Sequence, residues 1–292
     1  MLPLSSRPTE AAAPAPIDLL DSAVALTREK ERAALRSSLL RTLSEMLPIS
    51  ELRMQDVAAA TQEEAGEGWY MLPLAGVERE GRVLAVQLAE PRDGDERILQ
   101  SFLRLYENFL AVIDESERDQ LTGMLNRRAF DLRLGAVTSG LSGPLPSGQA
   151  WLALLDIDHF KRINDGYGHL FGDEVLVLLA RLLRAHFGVR EGVYRYGGEE
   201  FALVLAGETA EAVQRRLDGF RAVVAEQRFP GVGNVTLSAG FCAIARGVAP
   251  PLLVEYADRA LYAAKDGGRD RVVAYESLPE ARQRRSGDIE LF

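Results

Sequence analysis

A chain of 292 residues, in which 43 acidic side chains outnumber 34 basic ones for a net charge of −9, has room for one large domain or two small ones. That acidic excess excludes a general nucleic-acid or membrane-surface binder, which needs surplus positive charge to displace counterions, and leaves room only for a local basic site. With 47% hydrophobic and 26% charged residues, the composition is that of a globular chain rather than a disordered one.

The first 16 residues, rich in Pro and Ala, read as a disordered tail without a charged leader and apolar core. From Ile17 to about Leu47 the pattern is helical, with Leu35, Leu39, Leu40, Leu43, Met46 and Leu47 forming one apolar stripe that Pro48 ends. Residues 69–74 and 82–88 read as strands joined by a polar turn around Glu80 and Gly81. A second helix covers about residues 95–117, where Leu99, Phe102, Tyr106, Phe109 and Ile113 repeat at 3-4-3-4 spacing. That is about two heptads, short of the roughly three to four that define a coiled coil, so a dimerising seam and a helix packed on its own domain are both open readings.

The character changes near Asp119. Residues 151–157 read as a buried strand and 172–187 as a helix with Val175, Leu176, Leu179, Leu182 and Leu183 on one face. Strands over 192–196 and 201–205 meet at Gly197-Gly198, a dipeptide that tolerates the positive φ of a tight hairpin. A helix (208–227), a strand (234–245), a helix (251–265) and a short strand (271–275) complete a β-α-α-β-β-α-β-α-β order. That order predicts an α+β domain with a central mixed sheet flanked by helices. The expected organisation is a tail (1–16), a small α/β N-terminal module (17–94), a connecting helix (95–118), a second domain (119–276) and a flexible tail (277–292). No stretch approaches the roughly 18 to 20 apolar residues of a membrane span. The single Cys242 excludes an internal disulfide and a multi-cysteine zinc site, reads as a small buried hydrophobe, and points to a reducing cytosol.

The apolar run Trp151-Leu152-Ala153-Leu154-Leu155 leads straight into Asp156-Ile157-Asp158. A carboxylate there is costly unless paired, solvated or bound to a cation. The plain alternative makes Asp158 a helix cap and leaves Asp156 in a solvated turn. Glu199 and Glu200 follow the Gly-Gly turn, where the lack of side-chain bulk lets a large ligand approach the backbone. Should the hairpin lie beside the Asp156 strand, three acidic groups converge where a divalent cation is needed. Oxygen-only ligands favour Mg²⁺ or Mn²⁺, commonly with phosphate chemistry.

Gly197-Gly198-Glu199-Glu200-Phe201 resembles the signature of the GGDEF family of diguanylate cyclases in its GGEEF form, within a palm-like nucleotidyl-cyclase fold. Three further segments support the resemblance in the same order: 119–128 (DQLTGMLNRR), 155–174 (LDIDHFKRINDGYGHLFGDE) and 257–269, which contains Lys265 and Arg269. The resemblance implies an enzyme that joins two GTP molecules into cyclic di-GMP and releases two pyrophosphates. It implies that Asp156, the backbone carbonyl of Ile157 and Glu199 hold Mg²⁺ (or Mn²⁺), two ions per active site, with Glu200 at the second position. Glu199 is then the catalytic acidic residue, as a ligand or as a base. Asn164 and Asp173 fall where the family reads guanine, Phe160 and His169 lie along the substrate segment, and Lys161, Lys265 and Arg269 meet phosphate, with Arg269 one helical turn past Lys265. A carboxylate at Asp173 suits guanine, whose N1–H and exocyclic amine both donate, whereas adenine has no donor at N1. Only three lysines occur in the chain, Lys30, Lys161 and Lys265, among 31 arginines, and two of the three stand at phosphate positions.

Two departures from the family pattern stand out. The inhibitory Arg-x-x-Asp motif is replaced by Gly188-Val189-Arg190-Glu191, so the product-inhibition site is absent or altered, with Arg190 a shifted substitute as the alternative. Asp270 stands where Asn is usual. One site holds one GTP and the bond needs two, which implies a homodimer. The N-terminal module resembles a shortened GAF-type sensor, the alternative being a purely dimerising module. The competing functional reading is a degenerate domain that binds GTP or cyclic di-GMP and signals by contact.

Overall fold

The computed structural model describes residues 32–56, 68–74, 82–140, 149–188, 192–279 and 281. The chain divides into two compact units, Met1–Ser116 and Glu117–Phe292. Residues 1–31, the turn at Glu80 and Gly81, Arg190, Glu191 and the chain after Ala281 lie outside the described residues.

The first unit contains α1 (Arg32–Met46), β1 (Ile49–Asp56), β2 (Trp69–Pro73), β3 (Arg82–Leu88) and α2 (Asp95–Ser116). Its antiparallel sheet has the order β1-β3-β2. Leu35, Leu39 and Leu43 of α1 pack with Leu84, Val86 and Leu88 of β3 and with six residues of α2, namely Leu99, Phe102, Leu103, Tyr106, Leu110 and Ile113. Phe109 joins this core partly buried. The 3-4 stripe of α2 is therefore spent within its own unit, which decides between the two readings of that spacing in favour of a helix packed at home. Strand β1 escapes a period-2 reading because its register shifts between Ile49 and Glu51, so Ile49 and Leu52 both reach the core across an odd spacing.

The second unit opens with β4 (Leu125–Asn126), α3 (Arg127–Thr138) and β5 (Ala150–Ile157), followed by α4 (Phe160–Tyr167) and α5 (His169–Phe187). After these come β6 (Gly192–Arg195), β7 (Glu200–Ala206) and α6 (Ala210–Glu226). A two-residue pair, β8 (Arg228–Phe229) and β9 (Gly233–Asn234), leads to β10 (Leu237–Ala243), α7 (Pro250–Asp266) and β11 (Val272–Ala274). The six-stranded sheet has the order β11-β10-β5-β7-β6-β4 and mixed direction, with parallel pairs at its two edges. The expected α+β architecture is present, with α3 as an added helix that Asn126 starts by accepting from the Ala129 N–H at 3.1 Å.

Alternation on the central strands fixes which face each residue serves. Trp151, Ala153, Leu155 and Ile157 of β5 face the core under α5 and α6, while Leu152 and Leu154 face that under α3 and α7. Phe201, Leu203 and Leu205 of β7 divide from Ala202 and Val204 in the same way. Asp156 and Glu200 are cross-strand partners in this register and inherit the α7 face by parity. Gly240 on β10 lets α7 sit directly on the sheet, because a Cβ there would lie 2.0 Å from the Leu261 backbone nitrogen. Cys242 is fully buried on this face, where burial pushes its thiol pKa up, as expected of a small core hydrophobe.

Candidate active site

The acidic cluster forms at the end of β5, where strand parity and the last turn of α7 bring opposite charges together. Lys265 Nζ lies 2.9 Å from Asp156 Oδ2, a carboxylate with only 8% of its side chain exposed. Burial raises the Asp156 carboxyl above its ordinary range, Lys265 opposes the rise, Asp158 adds to it and Arg269 lowers it. Burial also raises Glu199 and Glu200, and the Asp156 charge raises both further against the pull of Lys265. Three carboxylates thus repel one another around one lysine. Among the described residues, no group of three His, Cys, Asp or Glu side chains is gathered closely enough to hold a metal by itself.

Asp158 is neither a helix cap nor part of this cluster. His159, with φ of 59°, is the residue that precedes α4, and its side chain makes no capping bond. The Asp158 carboxylate is buried and accepts from the Thr236 hydroxyl at 2.7 Å, the Ser238 hydroxyl at 2.7 Å and the Asp270 backbone N–H at 3.0 Å. It therefore locks β5 to β10 and to the turn that follows α7. Asp156 likewise sits in no solvated turn but is buried at 6% exposure.

The Gly-Gly hairpin works differently from its sequence expectation. Neither Gly197 nor Gly198 is among the positive-φ residues. At Gly197 a Cβ would lie 2.4 Å from Glu200 Oε2, so this glycine makes room for the carboxylate folded over the turn. At Gly198 nothing lies within 4 Å, which leaves the backbone open to a ligand. Arg195 anchors the turn: its guanidinium donates to the Gly198 carbonyl at 2.8 Å and to both carboxylate oxygens of Asp119 at 2.9 and 3.1 Å. Burial alone would raise Asp119, but the Thr122 hydroxyl and amide, together with Arg195, hold its carboxyl below the usual range. Sequence reading did not assign this clamp, because the two residues are 76 positions apart.

The second half of the site lies on α4 and α5. Asn164 is half-buried on α4, and a Cβ at Gly172 would lie 2.0 Å from its Oδ1, so the glycine at that point of α5 is what admits the amide. Asp173 is exposed at the edge of a cavity of about 420 Å³ whose walls include Leu121, Leu170, Val177, Leu178 and Pro230. Those apolar walls were not read from the sequence; the exposure of Leu170 at 72% marks it as unusual only once the fold is known. Lys161 and His169 are exposed near the starts of α4 and α5. The side chains of Phe160 and Ile157 are buried at 5% and 1%, so each can offer the site only its backbone.

Arg269 is not a helical turn beyond Lys265. The helix ends at Asp266, and Arg269 follows Gly267 and Gly268 with φ of 64°, its N–H donating to the Ala264 carbonyl at 3.0 Å. Asp270 pairs its carboxylate with Arg221 at 2.7 Å. Gly188, which the family resemblance aligns with the inhibitory motif's arginine, ends α5 with φ of 80°, a conformation that strains any side-chain-bearing residue.

A mixed sheet with acidic residues at a strand end, a bare turn beside them and a largely apolar cavity on the adjoining helix make up the candidate site of this α+β domain. Residues 116–271 match the family described as "Diguanylate cyclase, GGDEF domain", a match over more than half of the chain, and the chain belongs to that family. It is 42% identical over 157 residues, 53% of this chain and 23% of the relative, to the diguanylate cyclase DgcP of Pseudomonas aeruginosa. It is 39% identical over 180 residues, 58% of this chain and 50% of the relative, to the diguanylate cyclase VdcA of Vibrio cholerae. The chain thus spans half or less of the length of these relatives. Among solved structures, the GGDEF domain of DgcB from Caulobacter crescentus, in complex with c-di-GMP, matches with a TM-score of 0.51 at 38% identity, covering 55% of this chain and 96% of that one. Diguanylate cyclase SiaD of Pseudomonas aeruginosa, in complex with its activator SiaC, matches with a TM-score of 0.54 at 34% identity, covering 61% of this chain and 69% of that one. Among the described residues no helix is long and apolar enough to cross a membrane.

Proposed function

We propose that the protein is a diguanylate cyclase of the GGEEF type, condensing two GTP into cyclic di-GMP with release of two pyrophosphates. The carrying observation is the strand-end cluster, in which Asp156, Glu199 and Glu200 are all raised by burial and by repulsion between carboxylates, with Lys265 as the counter-charge common to all three. An all-oxygen donor set with unspent negative charge fits Mg²⁺ or Mn²⁺. Asp156, the Ile157 carbonyl and Glu199 would hold one ion, with Glu200 at a second. Held there, such ions would lower the pKa of the ribose 3′-hydroxyl and offset charge on the α-phosphate and the leaving pyrophosphate.

This chain's own residues supply orientation. Asn164 and Asp173 hold guanine, with Asp173 accepting from N1–H and the exocyclic amine. Lys161, Lys265 and Arg269 meet the triphosphate, Phe160 contributes backbone and His169 flanks the substrate. The open backbone at Gly198 admits the nucleotide beside Glu199. Each 3′-oxygen bonds to the α-phosphorus of the opposite GTP as that phosphorus releases pyrophosphate, and one proton leaves each hydroxyl. Two such bonds close the ring, which requires two sites face to face and hence a homodimer. The N-terminal unit, read as a GAF-like or dimerising module over residues 17–94 and joined through 95–118, serves as the input to a cyclase domain over 119–276, in the cytoplasm. Loss of the inhibitory arginine at Gly188 leaves product inhibition weak.

Purified protein given GTP and Mg²⁺ should release cyclic di-GMP and pyrophosphate in a 1:2 ratio, as the two condensations require. Glu199→Gln should lower the rate by on the order of 10³-fold, within the range for losing an essential ionisable group. A folded dimer that binds GTP without forming product would instead support the degenerate-domain reading.

A further inference from the structure

The cavity beside Asp173 carries charge of both signs at separate ends. Its apolar walls, Leu121, Val177 and Leu178 among them, suit the faces of a flat base. Asp173, with Glu174 next to it, makes one end acidic, and Arg181, two turns further along α5, makes the other basic. Among the described residues neither Asp173 nor Arg181 makes a hydrogen bond or ion pair, and both are exposed. Eight residues of helix separate their Cα atoms by ~12 Å. Helical side chains lean toward the N-terminus, so the long Arg181 side chain is directed back along the cavity that both residues line.

Guanine is polarised in the same sense. One edge donates through N1–H and the exocyclic amine, and the edge around the ring from it accepts at O6 and N7. Arginine forms its commonest base-specific contact with that O6/N7 pair, two parallel N–H donors meeting two acceptors. Adenine conflicts at both ends: its N1 is an acceptor facing the carboxylate, and its N6 amine puts a donor against the guanidinium where guanine has O6, with only N7 still accepting.

We propose that Arg181 is a specificity-determining residue that reads guanine O6 and N7, opposite Asp173 at the N1 edge. The proposal rests on the functional reading above only in taking GTP as the ligand. Arg181 then joins Asn164 and Asp173 in base recognition, and two side chains of α5 act at opposite ends of the base.

The test uses the full chain and two probes that cannot react because they lack the attacking hydroxyl, 3′-deoxy-GTP and its 7-deaza analogue, with affinities measured by calorimetry. Arg181→Ala should weaken 3′-deoxy-GTP by about 10-fold, the lower range for one bidentate base contact. The wild type should lose a comparable factor on replacing N7 by carbon, and the variant should lose little more, because the partner of N7 is already gone. Arg181→Lys should recover only part of the affinity, since an ammonium lacks the fork. Equal factors multiplying independently, no loss in Arg181→Ala, or full rescue by lysine would each overturn the proposal. Turnover separates it from the cyclase reading: coupling without cyclic di-GMP formation leaves Arg181 standing and sinks the enzyme, and cyclic di-GMP formation without coupling does the reverse.

Discussion

The two halves of the site are built on opposite plans. At the end of β5, charged groups are buried and held by partners inside the protein, as Asp156 is by Lys265 and Asp158 by two hydroxyls and an amide. On α5, Asp173 and Arg181 are exposed and have no protein partner among the described residues. The first half resists rearrangement and keeps its geometry before substrate arrives, which suits the handling of charge at a phosphate. The second leaves its hydrogen-bonding capacity unspent, which suits discrimination between ligands that differ by one donor or acceptor.

The comparison is broken most severely at Asp158. Asp158→Ala leaves the buried Ser238 hydroxyl and the part-buried Thr236 hydroxyl and Asp270 N–H without their shared charged acceptor and should cost about 3 to 5 kcal/mol of stability in urea unfolding. A loss below about 1 kcal/mol would show that the lock is not rigid. The open half should respond in binding rather than folding. Gly172→Ala forces Asn164 aside and should raise KM for GTP about 10-fold, with about 1 to 3 kcal/mol of overpacking cost. Combined with Asn164→Ala, it should add nothing further to KM, because both changes remove one contact; additive effects would mean that Gly172 acts elsewhere.

A smaller effect sharpens the electrostatic side. Asp156, Glu199 and Glu200 all have raised carboxyl pKa values, led by burial, so folding favours their protonated forms. Their contribution to stability is present below the ordinary carboxylate range and is lost as pH rises through the raised values. Added Mg²⁺ should therefore raise Tm more at about pH 7.5 than at about pH 4.5, where protons compete more strongly for the raised carboxylates. An equal rise at both would remove the cluster as the binding site. The smallest expected change is inhibition by added cyclic di-GMP, which should be weak, given a positive-φ glycine at Gly188. Strong noncompetitive inhibition would show a substitute site.

Local signals made part of this legible from sequence. An unbroken apolar run marks β5 and delivers Asp156 to a strand end, and the 3-4 spacing of Val175, Leu176, Leu179 and Leu183 marks α5. What could not be read depends on partners distant along the chain. Asp158 resembles a helix cap because Thr236, Ser238 and Asp270 lie 78, 80 and 112 residues away. Gly197 resembles a flexible turn residue because the Glu200 carboxylate that needs its space shows only in three dimensions. Strand β1 was hidden by a one-residue register shift, and the cavity walls at Leu121 and Pro230 come from segments far apart in the sequence.

The reach of Asp158 also sets an order of events during synthesis. Domains emerge from the ribosome N-terminal end first. A nascent chain that has released β4 to β7 holds four of the six strands of the sheet, but the Asp158 carboxylate has no donor partner until Thr236 and Ser238 appear. Its third donor, the Asp270 amide, emerges within a few residues of Lys265, the counter-charge of Asp156. A chain truncated before Lys265 therefore leaves the acidic corner unfinished, and the residues between Lys265 and Asp270 complete it.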